Sequence, residues 1–174
     1  MLNDLVHSGR GFFWTLAGGL VLFVFGTLGR LPPVVASHFD GSGSPNGWSS
    51  RGAYAALLLL VGAVLPLAIV GLLKVVTRRG PDRLNIPARE YWTRPEHAAE
   101  AVRRVRSYLW WLGCIMAAIA SAIHGTILAA HSHRPPHLSS RGIILVIGIA
   151  ILALGIWIVG WYRLLQPPDK EAAR

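Results

Sequence analysis

Apolar residues run along this chain in four unbroken blocks, separated by polar stretches. Residues 11–29 (GFFWTLAGGLVLFVFGTLG), 53–73 (AYAALLLLVGAVLPLAIVGLL), 109–130 (LWWLGCIMAAIASAIHGTILAA) and 143–162 (IILVIGIAILALGIWIVGWY) contain no Asp, Glu, Lys or Arg. Each is close to the ~20 residues that an α-helix needs to cross a hydrocarbon core about 30 Å thick. A water-soluble four-helix bundle would show a polar face once per turn, and these blocks show none. Isolated spans in lipid must satisfy their own backbone groups, which leaves helix as their state. The pattern predicts an all-α membrane protein with four transmembrane helices, organised as a single membrane domain over residues 1–174.

Composition agrees. Of 174 residues, 53% are hydrophobic, and the mean hydropathy is +0.47. The single cysteine, Cys114, lies in the third block, so an intrachain disulfide framework is excluded and the thiol reads as a small apolar filler. The first block is longer than the roughly 7–15 apolar residues of a signal peptide core, so it is expected to remain as a membrane helix.

The net charge of +9 is distributed unevenly. With four spans, the N-terminus, the 74–108 loop and the C-terminus share one side, and thirteen of the seventeen Lys and Arg fall there, Lys170 and Arg174 among them. Only Arg30, Arg51, Arg134 and Arg141 fall on the other. Basic residues are retained on the cytoplasmic side, which predicts both termini inside, a structured extracytoplasmic loop between helices 1 and 2, and a location in the cytoplasmic membrane. The charge therefore calls for no nucleic acid. The expected contact is the lipid bilayer, with the arginines of VVTRRG and VRRVRS close to the headgroups.

The inner loop, GPDRLNIPAREYWTRP at residues 80–95, carries three prolines and a glycine, which interrupt helix. Thr93 followed by Glu96 has the spacing of a capping box, so a helix is expected to begin near Thr93 and run into the third span. Tyr91, Trp92, Trp110 and Trp111 fit a belt of aromatic rings at the interface. Glu90, Glu96, His97 and Glu100 read as a solvated charged face with arginine partners.

Within the spans one side chain ionises near neutral pH, His124, and such a residue is by default a functional candidate. Ala117, Ser121, Gly125 and Ala129 form a small-residue ladder beside it, an expected surface for a protein partner or a second copy of the chain through helix 3. His131 lies on nearly the same face. With His38 and Asp40 these histidines are candidate ligands for Zn²⁺ or Cu²⁺, although their spacing matches no metal signature. His133 and His137 lie in the same outer loop. The alternation of Asp40, Ser42, Ser44 and Asn46 lacks the closing bidentate Glu of a calcium loop. Haem attachment, phosphate loops, nucleophile elbows and H-E-x-x-H are absent, so neither an enzyme nor a cofactor is expected.

LPPVVASHFDGSGSPNGWSSRG, which follows the first apolar block, resembles the DUF1648 domain of bacterial integral membrane proteins over about residues 12–60. His38, Phe39, Gly43, Pro45, Gly47 and Trp48 carry the likeness, with Asp40 between them. Asn85, Pro87, Tyr91 and Trp92 of LNIPAREYW, with RPEHAAEAV and IHGTILAAH, are similar to the remainder of a four-helix subgroup. The glycines and the Asn46-Gly47 pair are expected to turn the chain at positive φ, with Trp48 at the lipid boundary. The resemblance implies a bacterial membrane protein of undefined biochemistry, distantly related to SdpI-type immunity proteins. Three functions follow as expectations: a non-enzymatic binding, sensing or immunity-type component; a small transporter or metal-handling protein using His38, His124 and His131; and an accessory subunit of a membrane complex.

Overall fold

Four helices long and apolar enough to cross a membrane form where the four blocks lie. They belong to a computed structural model that describes residues 2–167; Lys170 and Arg174 of the charge count lie outside the described residues. In chain order the elements are α1 (Leu2–Thr27), a two-stranded antiparallel hairpin of β1 (Val34–Phe39) and β2 (Pro45–Ser50), α2 (Arg51–Val76), the single turn α3 (Arg89–Trp92), α4 (Pro95–Ala130) and α5 (Ser140–Leu164). The exposed surface is rich in large apolar side chains, the inverse of a water-soluble one: Leu22 is 76% exposed and Ile144 68%.

The helices pack where small residues let them approach. Pro66 has no N–H to give to the carbonyl of Gly62, and α2 widens there into a π-turn over Leu60–Val64, with Leu65 N–H reaching back to Leu60 O. The widened turn sets Gly62 against two other helices, where an added Cβ would lie 2.5 Å from Leu20 of α1 and 2.7 Å from Ala120 of α4. Gly113 of α4 is similarly close to Phe13 of α1, at 2.8 Å for an added Cβ. By contrast α5 packs against α4, and the most apolar window of α5 has no buried residue.

Several expectations are corrected here. The loop between the first two spans is a β-hairpin, so the fold is mostly helical and not all-α. The hairpin reverses over residues 40–44, with Gly43 at φ +86°, while Asn46 and Gly47 lie in β2, where Gly47 pairs with His38. Gly47 is required there by close approach, since an added Cβ would come within 2.9 Å of the Cβ of His38. Thr93 caps no helix N-terminus: it follows the end of α3, its hydroxyl donates back to Arg89 O, and α4 starts at Pro95. Trp92 is no belt residue. It is buried with Ile86, Ala101, Val105 and Leu165, and its Nε1–H donates to Leu165 O at 2.6 Å, clamping the inner loop onto the end of α5. Arg104 reinforces the clamp: its guanidinium lies 5.0 Å from the Trp92 ring and it bonds Glu100 and the carbonyl of Leu164. Tyr91 stacks on His97 beside it, Pro87 is half-buried and Asn85 is exposed.

The small-residue ladder of α4 is also displaced. Gly113, Ala117, Ala120, His124 and Ile127 form the buried face, whereas Ser121 and Gly125 are half-buried and Ala129 is exposed. Ala117 and Ala120 thus serve packing within the chain, while an added Cβ on Gly125 meets nothing within 4 Å.

Candidate ligand site beneath the hairpin

The hairpin is fixed to the helix ends at four points, each traceable to a local requirement. Ser50 caps α2 by accepting Ala53 N–H, and Arg51 ties the hairpin base by donating to Leu31 O at 3.0 Å and, through its backbone N–H, to Pro33 O at 2.9 Å. At the tip, Asp40 Oδ1 accepts Ser42 N–H at 2.9 Å, the Ser42 hydroxyl at 2.6 Å and Ser44 N–H at 3.0 Å. The serine hydroxyl first, then the backbone amides, hold the Asp40 carboxyl below its usual value. Gly43 O accepts Leu138 N–H at 2.9 Å, docking the tip on the loop between α4 and α5. Along β1, Ala36 N–H donates to His131 Nε2 at 3.1 Å, and His131 Nδ1 lies 2.9 Å from Ile127 O. His131 therefore carries its proton on Nδ1 and offers Nε2 as acceptor.

Below the hairpin sits a buried polar node. His124 has no exposed surface. Its Nε2 is 2.8 Å from the Thr27 hydroxyl and its Nδ1 is 3.0 Å from the Tyr54 hydroxyl. Thr27 already donates to Phe23 O at 2.6 Å, so it accepts from His124 Nε2–H, and Tyr54 in turn donates to Nδ1. One neutral imidazole in one tautomer thus satisfies groups on α1, α2 and α4. Both partners of His124 are hydroxyls. Thr27 and Tyr54 were not singled out from the sequence because they sit at the edges of apolar blocks, where polar tips pass as interfacial.

Tyr54 also forms part of a cavity of about 460 Å³ that opens beside the node. Its walls are Leu57, Leu58 and Val61 of α2 and Met116, Ile119 and Ile123 of α4; its lip is Ser37, His38 and Ser49 of the hairpin. The lip owes its chemistry to a bulge. The register slips between Ala36 and His38, leaving Ser37 without a partner across the ladder. Ser49 pairs with Val35, and its hydroxyl oxygen is buried without a hydrogen-bond partner.

The chain's likeness to known proteins falls on these same elements, because the model of a domain of unknown function, DUF1648, matches residues 15–64. Those residues form a DUF1648 domain. No curated protein and no solved structure matches the chain. The DUF1648 domain comprises most of α1, the hairpin and α2 as far as its π-turn. It supplies Thr27, Tyr54 and the cavity lip, and His124 and His131, which complete its bonds, come from α4 beyond it.

Within the DUF1648 hairpin the motif residues divide between architecture and site. Phe39 packs on the core of α1, α2 and α4, Asp40 and Gly43 shape the tip, Pro45 starts β2 opposite Phe39, and Gly47 makes room for His38. Trp48 is 54% exposed on β2. His38 faces the cavity with Nδ1 3.2 Å from the Ser37 hydroxyl, whereas Asp40 bonds within the tip. Among the described residues no three His, Cys, Asp or Glu side chains come together in a group fit to hold a metal ion. His38, Asp40, His124 and His131 are not brought to one point.

Proposed function

We propose that this chain is a non-enzymatic integral protein of the bacterial cytoplasmic membrane, with both termini inside, in which the DUF1648 hairpin and the cavity beneath it bind a ligand. The observation that carries the reading is the cavity itself, whose volume lies in the ~300–1,000 Å³ range of ligand pockets. It has apolar walls and a few polar groups gathered at one end, the arrangement by which such sites hold and orient a molecule. The Arg and Lys excess of the 74–108 loop supports the orientation that turns the hairpin outward. A non-enzymatic role is supported by the bonding of the one histidine buried among the described residues, which has both ring nitrogens engaged by hydroxyls.

Native mass spectrometry of protein extracted from bacterial membranes tests the reading. Ala53 is exposed at the cavity edge, so Ala53→Trp fills the space without entering the core. Wild type is expected to retain a small molecule that the variant loses. Equal retention, or none in either protein, overturns the proposal. Thiol labelling of Ser42→Cys and Asn85→Cys from outside intact cells checks the orientation, with reaction expected at residue 42 alone.

A further inference from the structure

We propose that the ligand of the DUF1648 cavity is a single-chain amphiphile with an uncharged, hydroxyl-bearing head, of the monoacylglycerol class. This deepens the binding reading above and rests on it. Four features argue for it.

The first is polarity along the slot. From Ala53 to Val61 the α2 wall runs eight residues, about 12 Å at ~1.5 Å per residue. Past the Tyr54 ring, whose hydroxyl is bonded to His124, this wall presents Leu57, Leu58 and Val61, and that of α4 presents Met116, Ile119 and Ile123. A ligand satisfying both ends has a hydrocarbon tail and a polar head.

The second is size. About 460 Å³ admits one hydrocarbon chain with a small head and is too little for a whole phospholipid, which carries two chains.

The third is charge. Among the described residues no Lys, Arg, Asp or Glu lines the cavity. A phosphate, carboxylate or ammonium head would leave water without an opposite charge to meet it, a transfer that apolar surroundings penalise heavily. Hydroxyl and imidazole groups of Ser37, His38 and Ser49 suit a head that both donates and accepts.

The fourth is the Ser49 hydroxyl, buried at the lip without a partner. A buried hydroxyl left unpaired is costly. Serine turns freely among staggered positions about Cα–Cβ, so a head group seated at the lip provides the partner that the protein does not.

Entry is lateral. Leu57, Val61 and Ile123 at the rim are 59%, 41% and 40% exposed on the apolar surface of α2 and α4, so a lipid-dissolved chain reaches the slot from the bilayer.

The test is photolabelling of the full-length protein in nanodiscs with a diazirine-bearing monoacylglycerol, read by peptide mapping. Labels are expected on α2 and α4 between residues 53 and 61 and between 116 and 123. They are expected to be lost in Ala53→Trp and in Ile123→Trp, and to be displaced by unlabelled monoacylglycerol far better than by a fatty acid or an alkyl trimethylammonium of equal chain length. Ser49→Ala is expected to leave the unliganded protein as stable as wild type or more so, and to weaken displacement by about fivefold, the size of one ordinary hydrogen bond. If the cavity is labelled but the charged competitors displace as well as the neutral one, or if Ser49→Ala leaves displacement unchanged, the head-group assignment is wrong while the binding reading survives. If labelling spreads over α5 and ignores both Trp variants, the molecule is bulk lipid and both fall.

Discussion

Replacing Thr27 with Val tests whether His124 is held as a neutral, singly protonated ring between two hydroxyls. The substitution keeps the β-branched shape and removes the acceptor of His124 Nε2–H, a bond of 2.8 Å to a side chain with no exposed surface. An orphaned buried donor costs about 1–3 kcal/mol. Side-chain hydrogen bonds between membrane helices average only about 0.6 kcal/mol with a maximum near 1.7, because the reference state also finds partners. His124 has few such alternatives, since Phe23 stands edge-on to its ring with centroids 4.9 Å apart. The expected loss for Thr27→Val is therefore at the upper end, about 1.5 kcal/mol. Thr27→Ser, which keeps the acceptor, should lose less than half as much. Tyr54→Phe leaves an unmet acceptor, Nδ1, in place of the unmet donor and should cost about 1 kcal/mol. Because both act through one ring, the double variant should fall short of the sum by more than the ~0.5 kcal/mol within which independent sites add. Reversible unfolding in mixed detergent micelles gives all four values. If Thr27→Ser matches Thr27→Val, or if the two sites add, the bonding assigned to His124 is wrong.

Three further outcomes follow from particular contacts. Gly43→Ala should destabilise the protein by about 2 kcal/mol or more, since it places a non-glycine residue at positive φ and a Cβ 2.2 Å from Leu138 O; amide exchange at Leu138 should rise, and an unchanged rate would show that the tip is not docked there. Asp40 is held below its usual carboxylate value by its Ser42 and Ser44 bonds, so its contribution is full at neutral pH and is lost as pH falls through the ordinary and then the lowered value. The Ser42 and Ser44 amide signals should move together in that acid range alone, and movement near neutrality would refute the assignment. Trp92→Phe should cost about 1–3 kcal/mol by orphaning the buried Leu165 carbonyl, and Trp92→Ala about 3–5 kcal/mol; a Trp92→Phe loss near zero in thermal unfolding would mean that the indole hydrogen bond contributes nothing.

The four spans were legible because lipid imposes one rule on every residue of a span, and a run of twenty apolar positions carries that rule openly. The hairpin was not. VVASHF and PNGWSS lack the alternation by which a strand announces itself, and β1 is held by His131 and the tip by Leu138, contacts more than ninety positions away along the chain. The turn was legible in part: Gly43 turns the chain at positive φ as its glycines suggest, but the Asn46-Gly47 pair does not. Asn-Gly is the strongest local turn signal, but the space beneath His38 claims Gly47 for the strand, and Gly43 takes the positive φ. Trp92 was misassigned because a tryptophan near a span fits an interface equally well until the Leu165 carbonyl is known to lie within reach of its ring nitrogen. Of the site, His38 and His124 stood out as titratable groups, whereas Ser49, Tyr54 and Thr27 acquire significance only from position.

Position also explains why the DUF1648 segment is not a self-sufficient unit in this chain. Thr27 precedes the hairpin and Tyr54 follows it, and each carries a hydroxyl that points to the same place. One imidazole from α4 meets both, so His124 fixes the separation of the two helices from which the hairpin hangs. The Tyr54 ring that it orients is itself a wall of the cavity, and His131, two turns along α4, holds β1, which supplies Ser37 and His38 to the lip. His124 is thus a positioning residue: it touches no cavity space, yet wall and lip both depend on the helix that carries it. Residues matched to the domain shape the site, and α4 sets it.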